Sequence, residues 1–283
     1  MITFDNLVYN GNMPMQTVSI KRLVEAGVHF GHQTHRWNPK MRPFIYGERN
    51  GIYLIDLEQT SRALDKACEF ARGAAEARKN IVFVGTKKKA AEIIEEEAKR
   101  CGVYFVNRRW LGGMLTNFET IRLRIARLKK LEENHATGKT FRLSKKEQQA
   151  LYREEFKLEK SLGGLKKMRG KPDVLFVVDQ KRETIAVKEA MKTGATVIGI
   201  VDTNCNPDGI DYVIPGNDDS IRSIRLITRA IADAILGAEP GTPLTDSDDY
   251  GPDLQPSGVP RRPLPTTGSN EITLPLPDFE DWD

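Results

Sequence analysis

A chain of 283 residues with 39% hydrophobic content can bury a core of its own, either as one large domain with an appendage or as two small ones. Its longest aliphatic runs, IVFV and VLFVV, fall far short of the ~18 apolar residues a membrane span needs, and the opening MITFDNLVYNGNMPMQ lacks the pattern of a secretory signal, so a cytoplasmic location is expected. The net charge of +4 hides an asymmetry: residues 239–283 hold ten acidic side chains and two arginines, whereas residues 1–238 carry 41 cations against 29 anions, which fits a polyanionic partner or a plainly solvated basic surface.

Residues 1–17 show no regular pattern and read as an N-terminal extension. HFGHQTHRWNPKMRP (29–43) reads as a packed loop with Trp37 buried and Arg36, Lys40 and Arg42 facing outward. From Thr60 to residue 238, short β-branched runs alternate with amphipathic stretches, the pattern of a parallel sheet covered on both faces. The order is helix 60–78, strand 80–85, helix 87–101, strand 103–106, strand 173–178, helix 183–193, strand 196–201, strand 211–214 and helix 219–236. Strands this apolar are expected to be central ones. Residues 18–116 and 171–238 thus form an α/β domain.

Residues 117–170 interrupt the alternation. Phe118, Ile121, Ile125 and Leu128, then Leu151, Leu158, Leu162 and Leu165, recur at helical spacing around a turn-like ENHATGKTFRLS, which predicts a two-helix hairpin projecting from the sheet. Residues 117–171 hold sixteen Lys or Arg against seven Glu, most of the basic excess. A basic exterior on a long arm suits a phosphate-lined groove, and equally a solubilising face. Residues 239–283 carry nine of the fifteen prolines and read as a disordered acidic tail.

Cys68, Cys101 and Cys205 contain no CxxC and suggest neither disulfides nor a zinc pair. FVGTKKKAAE (83–92) has the strand-to-helix position of a phosphate cradle but only Gly85, so neither a Walker loop nor a dinucleotide fingerprint is present. Lys87, Lys88 and Lys89 are then expected to reach phosphates from outside. His29, His32 and His35 could share zinc, although Gly31 and Pro39 disfavour the helix that would align them. Asp202 at a strand's carboxyl end, with Thr86, leaves open a small-phosphate enzyme site, while NDDS (217–220) reads as the N-cap of the last helix, the carboxylates of Asp218 and Asp219 being favoured there by the helix dipole. In NRRWLGGMLTNFET (107–120), Gly112 and Gly113 allow a sharp exit from the sheet, Trp110 and Leu111 anchor it, and Arg108 and Arg109 lie beside the arm.

AGVHFGHQTHRWNPKMRPFIYGERNGIYLIDLEQT (26–60), FVGTKK (83–88), NRRWLGGMLTNF (107–118), PDVLFVVD (172–179) and IVDTNCNPDGIDYVIPGNDDSIRSI (200–224) together closely resemble the bacterial small-subunit ribosomal protein S-two family, over about residues 18–236. Ala195 stands where many members carry proline, and His35 also departs from the family pattern. The resemblance implies a flavodoxin-like (Rossmann-like) three-layer fold with a parallel five-stranded sheet and an inserted antiparallel coiled-coil hairpin. It further implies a non-catalytic structural constituent of the small ribosomal subunit that binds small-subunit rRNA and helps dock ribosomal protein S-one beside neighbouring small-subunit proteins. No cofactor, metal or small-molecule substrate is expected. The residues expected to meet RNA are Arg36, Lys40, Arg42, Lys87, Lys88, Arg108 and Arg109 on loops, and Asn117, Arg122, Arg124, Lys129, Lys130, Lys145, Lys146, Lys166, Lys167 and Arg169 on the hairpin.

Overall fold

The computed structural model describes residues 17–237 apart from Arg169 and the side chains of Phe141 and Arg142. Residues 1–16 of the expected extension and the acidic Pro-rich tail lie outside the described residues. The first described elements are a short helix α1 (Ile20–Glu25) and strands β1 (Phe30–Gln33), β2 (Ile45–Arg49) and β3 (Ile52–Ile55), which pair antiparallel in the order β1-β3-β2. This corrects the expectation of a packed loop. Asn50 and Gly51 take φ of 54° and 75°, the left-handed pair that a two-residue hairpin turn between twisted strands demands. Trp37 is only half-buried, its ring 5.2 Å from that of Tyr53, while Met41 is the side chain fully enclosed here.

The rest of the body runs α2 (Leu57–Glu76), β4 (Ile81–Val84), α3 (Lys88–Cys101), β5 (Tyr104–Val106), α4 (Phe118–Ala136), α5 (Lys145–Leu162), β6 (Val174–Val178), α6 (Thr184–Thr193), β7 (Thr196–Val201), β8 (Tyr212–Pro215) and α7 (Ile221–Leu236). Strands β4 to β8 form one parallel sheet in the order β5-β4-β6-β7-β8, the strand order of a flavodoxin-like fold. Every residue of β4 and β6 is buried, as strands covered on both faces must be. Only those two and β7 are central; β5 and β8, also expected inside, are the edges and are half-buried at their first residues.

Alternation along each strand sends its side chains to two separate cores. On one face Phe83 and Phe176, opposite each other in register with ring centroids 5.0 Å apart, pack with Ile198, Ile200 and Ile214 under α2, α3 and α7. Both phenylalanines are fully buried, each contributing about 1.5–3 kcal/mol by leaving water. On the other face Val82, Val84, Leu175, Val177 and Val201 meet α6, Met41, Trp110 and the apolar side of α4, namely Ile121, Ile125 and Leu128.

The inserted helices are therefore rooted in the core. Leu162, Leu165 and Met168, at and beyond the end of α5, belong to the same cluster, and a Cβ at Gly164 would stand 2.2 Å from the carbonyl oxygen of Phe105 in β5. Farther out, Arg127 makes a forked pair with Glu154 at 3.0 and 2.8 Å, and the His135 ring lies 4.8 Å from Tyr152. Ser144 and Glu147 form a reciprocal cap that starts α5.

One carboxylate sets the exit from sheet to helix. Glu189 of α6, nearly buried, accepts from the backbone N–H groups of Gly113 (2.7 Å), Leu115 (2.9 Å) and Thr116 (3.1 Å), from the Thr116 hydroxyl (3.2 Å) and from the Trp110 indole (3.4 Å). Gly113 takes φ of +92° in this turn, a conformation that a side chain would strain. Burial opposes ionisation of Glu189, yet the donated N–H groups outweigh it and hold the carboxyl below the usual glutamate range. Its stabilising contribution is thus present at neutral pH and lost as pH falls through that depressed value. Glu189→Gln, which turns a donor toward this ring of donors, is expected to cost about 2–4 kcal/mol at pH 7 and to remove part of the acid-side loss. Urea titrations at pH 7 and in the acid range measure both, and overlapping curves for the two proteins would contradict the anchoring role.

Candidate nucleic-acid interface

The carboxyl ends of the parallel strands are the edge at which open sheets of this kind offer ligand sites, above all where the strand order reverses. Here the reversal lies between β4 and β6, and the crevice is filled by the protein itself. Thr86, after β4, donates its N–H (2.9 Å) and its hydroxyl (2.5 Å) to the buried carboxylate of Glu183, and receives a bond from the Arg182 guanidinium at 2.9 Å. Asp202, after β7, is fully buried; its carboxylate accepts from the N–H and hydroxyl of Thr203 (2.6 and 3.1 Å) and from the N–H of Asp218 (3.2 Å). Both groups considered for an enzyme site are thereby committed to internal bonds.

Lys87 is the main correction at this edge. Its ammonium does not face outward but lies 2.6 Å from Asp219, 2.8 Å from Asp218 and 3.3 Å from Asp179, with the side chain 18% exposed. Within NDDS the residue that caps α7 is Ser220, whose hydroxyl accepts from Ser223 N–H at 3.4 Å, while Asp218 and Asp219 turn to Lys87. Burial alone would lower the Lys87 pKa, but the carboxylates of Asp218 and Asp219 override it and push it up. Burial, together with the charges of Asp202 and Asp179, pushes the Asp218 carboxyl up to about 7 against the pull of Lys87. Lys87 thus supplies the positive charge that keeps an excess of carboxylates tolerable in one place.

The three histidines do not converge. His32 points Nδ1 to within 3.0 Å of Asp202 and Nε2 to within 3.4 Å of Asp219; the neighbouring Asp202 raises its pKa although burial works the other way. His29 stacks on Phe30 at 4.0 Å, with burial lowering its pKa, and His35 is exposed. Among the described residues, the donor groups close enough to share a metal ion are His32, Asp202 and Asp218, and Asp179, Cys205 and Asp218. Neither contains the second histidine that the spacing suggested, and Asp218 in both is already paired with Lys87.

The remaining cations divide by partner. Arg36, Arg42, Lys88, Arg108, Arg109, Arg124, Lys129, Lys130, Lys145, Lys146 and Lys167 are all exposed, and among the described residues none pairs with a carboxylate. Lys40 is bound by Asp208, Arg122 by Glu119 at 2.7 Å, and Lys166 by Glu132 at 2.6 Å and Glu159 at 2.7 Å. Asn117 is exposed just ahead of α4 and accepts from the Thr120 hydroxyl at 3.0 Å, while Arg169 lies outside the described residues. Sequence reasoning missed Glu189 and Glu183: each looks like a surface carboxylate of an amphipathic helix, and only the loops laid over them make them buried acceptors.

Removal of the cation at the carboxyl edge gives a test with a sign. Lys87→Ala leaves Asp179, Asp218 and Asp219 facing one another and is expected to cost about 3–5 kcal/mol at pH 8. The penalty shrinks at pH 5, where Asp218, with its raised pKa, is already protonated and has less charge to compensate. Chemical denaturation at the two pH values measures this, and an equal loss at both would count against the charge account.

Among the described residues, no helix is long and apolar enough to cross a membrane. The family model for Ribosomal protein S2 matches residues 23–238, which includes the parallel sheet, the inserted helices and the carboxyl-edge cluster. Proteins of that family are structural rather than catalytic parts of the small ribosomal subunit and serve translation. The matched span covers far more than half of the chain, which therefore belongs to the ribosomal protein S2 family.

Proposed function

We propose that the chain binds small-subunit rRNA through the cations that its own carboxylates leave free, on α4, α5 and the adjoining loops, and that its globular body helps dock ribosomal protein S-one. The observation that supports this best is the contrast in pairing. Lysines and arginines in the body, such as Lys87 and Arg100, are held by acidic neighbours, whereas Lys129, Lys130, Lys145, Lys146, Arg108 and Arg109 are exposed with no carboxylate partner among the described residues. Unpaired cations at such density release counterions when phosphates replace solvent. Lys87 and Lys166 drop out of the phosphate-binding set because carboxylates already satisfy them, and Lys40 and Arg122 contribute only after an exposed ion pair opens, at a cost of about 0–1 kcal/mol.

The reading is one of shape and charge rather than base sequence, since Lys and Arg contacts to phosphates and 2′-hydroxyls carry little sequence information. Docking of ribosomal protein S-one is carried over from what the family resemblance implies. Ile20, Val24 and Phe30, exposed by 39%, 48% and 48%, offer that protein an apolar surface which RNA would not cover.

Deleting the two helices would open the core at Ile121, Ile125 and Leu162, so charge reversal is the cleaner experiment. The quadruple variant Lys129→Glu, Lys130→Glu, Lys145→Glu, Lys146→Glu alters only exposed side chains. Filter binding to small-subunit rRNA is expected to weaken at least about 100-fold at 150 mM salt, with the log–log salt slope reduced by about 3–4 if each lysine meets a phosphate. Unchanged affinity and slope would refute the rRNA-binding reading.

A further inference from the structure

A cavity of about 400 Å³ opens beside the filled crevice, between the loops after β6 and β7 and the first turns of α6. That volume lies in the range of small-ligand sites, about 300–1,000 Å³. Its polar groups are unevenly spent. Asn38 uses its side-chain oxygen to accept from Lys40 N–H at 3.0 Å, and Asn204 uses its own to accept from the Cys205 thiol at 3.1 Å, which leaves the NH₂ group of each without an acceptor among the described residues. Gln180 is 8% exposed, and its side-chain amide bonds no described residue.

The walls add two further features. Val187 is buried, while Met191 is 62% exposed with its sulfur lying against Gly209, where an added Cβ would stand 2.6 Å from it; a polarisable sulfur beside an aromatic ring is a favourable contact. Lys181 and Lys188 also line the cavity, both exposed and without an ion-pair partner among the described residues. The one carboxylate there, Asp208, is neutralised by Lys40. The cavity thus combines the apolar side chains of Val187 and Met191 with side-chain amides and two cations that have no ion-pair partner among the described residues.

We propose that this cavity receives one unpaired nucleotide, its base against Val187 and Met191 and its phosphate toward Lys181 and Lys188. Asn38 and Asn204 offer NH₂ donors to base carbonyls, and the Gln180 amide offers both a donor and an acceptor, so the lining can bond a base edge without selecting one base. Splayed bases of this kind are how proteins read single-stranded RNA. The proposal deepens the rRNA-binding reading and rests on it for the source of the nucleotide; a free mononucleotide has the same chemistry.

The test uses the full chain with labelled Met and Val methyl groups, titrated with UMP, GMP, AMP and a uridine hexanucleotide while methyl NMR shifts are followed. The nucleotide probes are expected to move the Met191 and Val187 resonances, whichever base they carry. Lys188→Glu and Thr184→Phe, both at exposed positions, should weaken the response at least about tenfold without altering the unfolding midpoint. A response to the hexanucleotide supports RNA as the source, and a response to mononucleotides alone supports a free nucleotide. Methyl groups that no probe moves, or two variants that bind like the parent, overturn the proposal. Loss of rRNA binding in the quadruple lysine variant with the methyl response intact leaves both readings standing, whereas retained rRNA binding sinks the rRNA-binding reading without touching the cavity.

Discussion

A parallel sheet buried on both faces needs two covers, and in this chain the covers are unequal. Helices α2, α3 and α7 close one face. The other has α6 and then depends on Met41, Trp110 and the inner side of α4. The inserted helices are consequently a part of the fold before they are anything else. Their apolar positions Ile121, Ile125 and Leu128 complete a core, and that burial holds the outer, basic side chains at fixed places on the surface. A flexible basic tail would have to give up conformational entropy on binding RNA; helices already anchored in a core give up much less.

The same logic of internal satisfaction runs along the carboxyl edge. Where relatives in architecture leave a crevice for a nucleotide, this chain places Thr86, Glu183 and Arg182 in one hydrogen-bonded set and Lys87 among three aspartates. The groups that chemistry would need are bound to one another. Positive charge that is free of such bonds lies outside, on the inserted helices, on the loops at their base and at exposed positions of the body such as Arg36, Lys88 and Lys188. The division separates a structural interior, neutralised pair by pair, from an exterior that carries positive charge without carboxylate partners among the described residues.

Much of this was legible in the sequence, for identifiable reasons. The runs IVFV and VLFVV are apolar at every position because both faces of β4 and β6 are covered, so their placement needed no tertiary information. The antiparallel sheet escaped because FGHQ and IYGER are half-exposed and carry Gly31 and Gly47, which dilute the two-residue period; the Asn50-Gly51 turn was the signal that could have found it. Lys87 looked like its neighbours Lys88 and Lys89. Nothing local distinguishes it, because Asp179 and Asp218 reach it from loops after two other strands, more than 90 residues away in the chain. Residue type was readable for the cations expected to meet RNA, but pairing was not: the bond of Arg122 to Glu119 follows from helical spacing, while that of Lys166 to Glu132 requires the packed helices.

The Glu189 contacts also bear on the timing of synthesis. The amides at Gly113, Leu115 and Thr116 precede their shared acceptor by 73 to 76 residues, and translation delivers the chain from its N-terminal end. While the two long helices are being extruded, the turn that carries them has no counter-charge and its donors can bond only water. Closure waits for α6, so the nascent arm is oriented only after that helix has been made, while Val197 and Val201 of the same core are still to come.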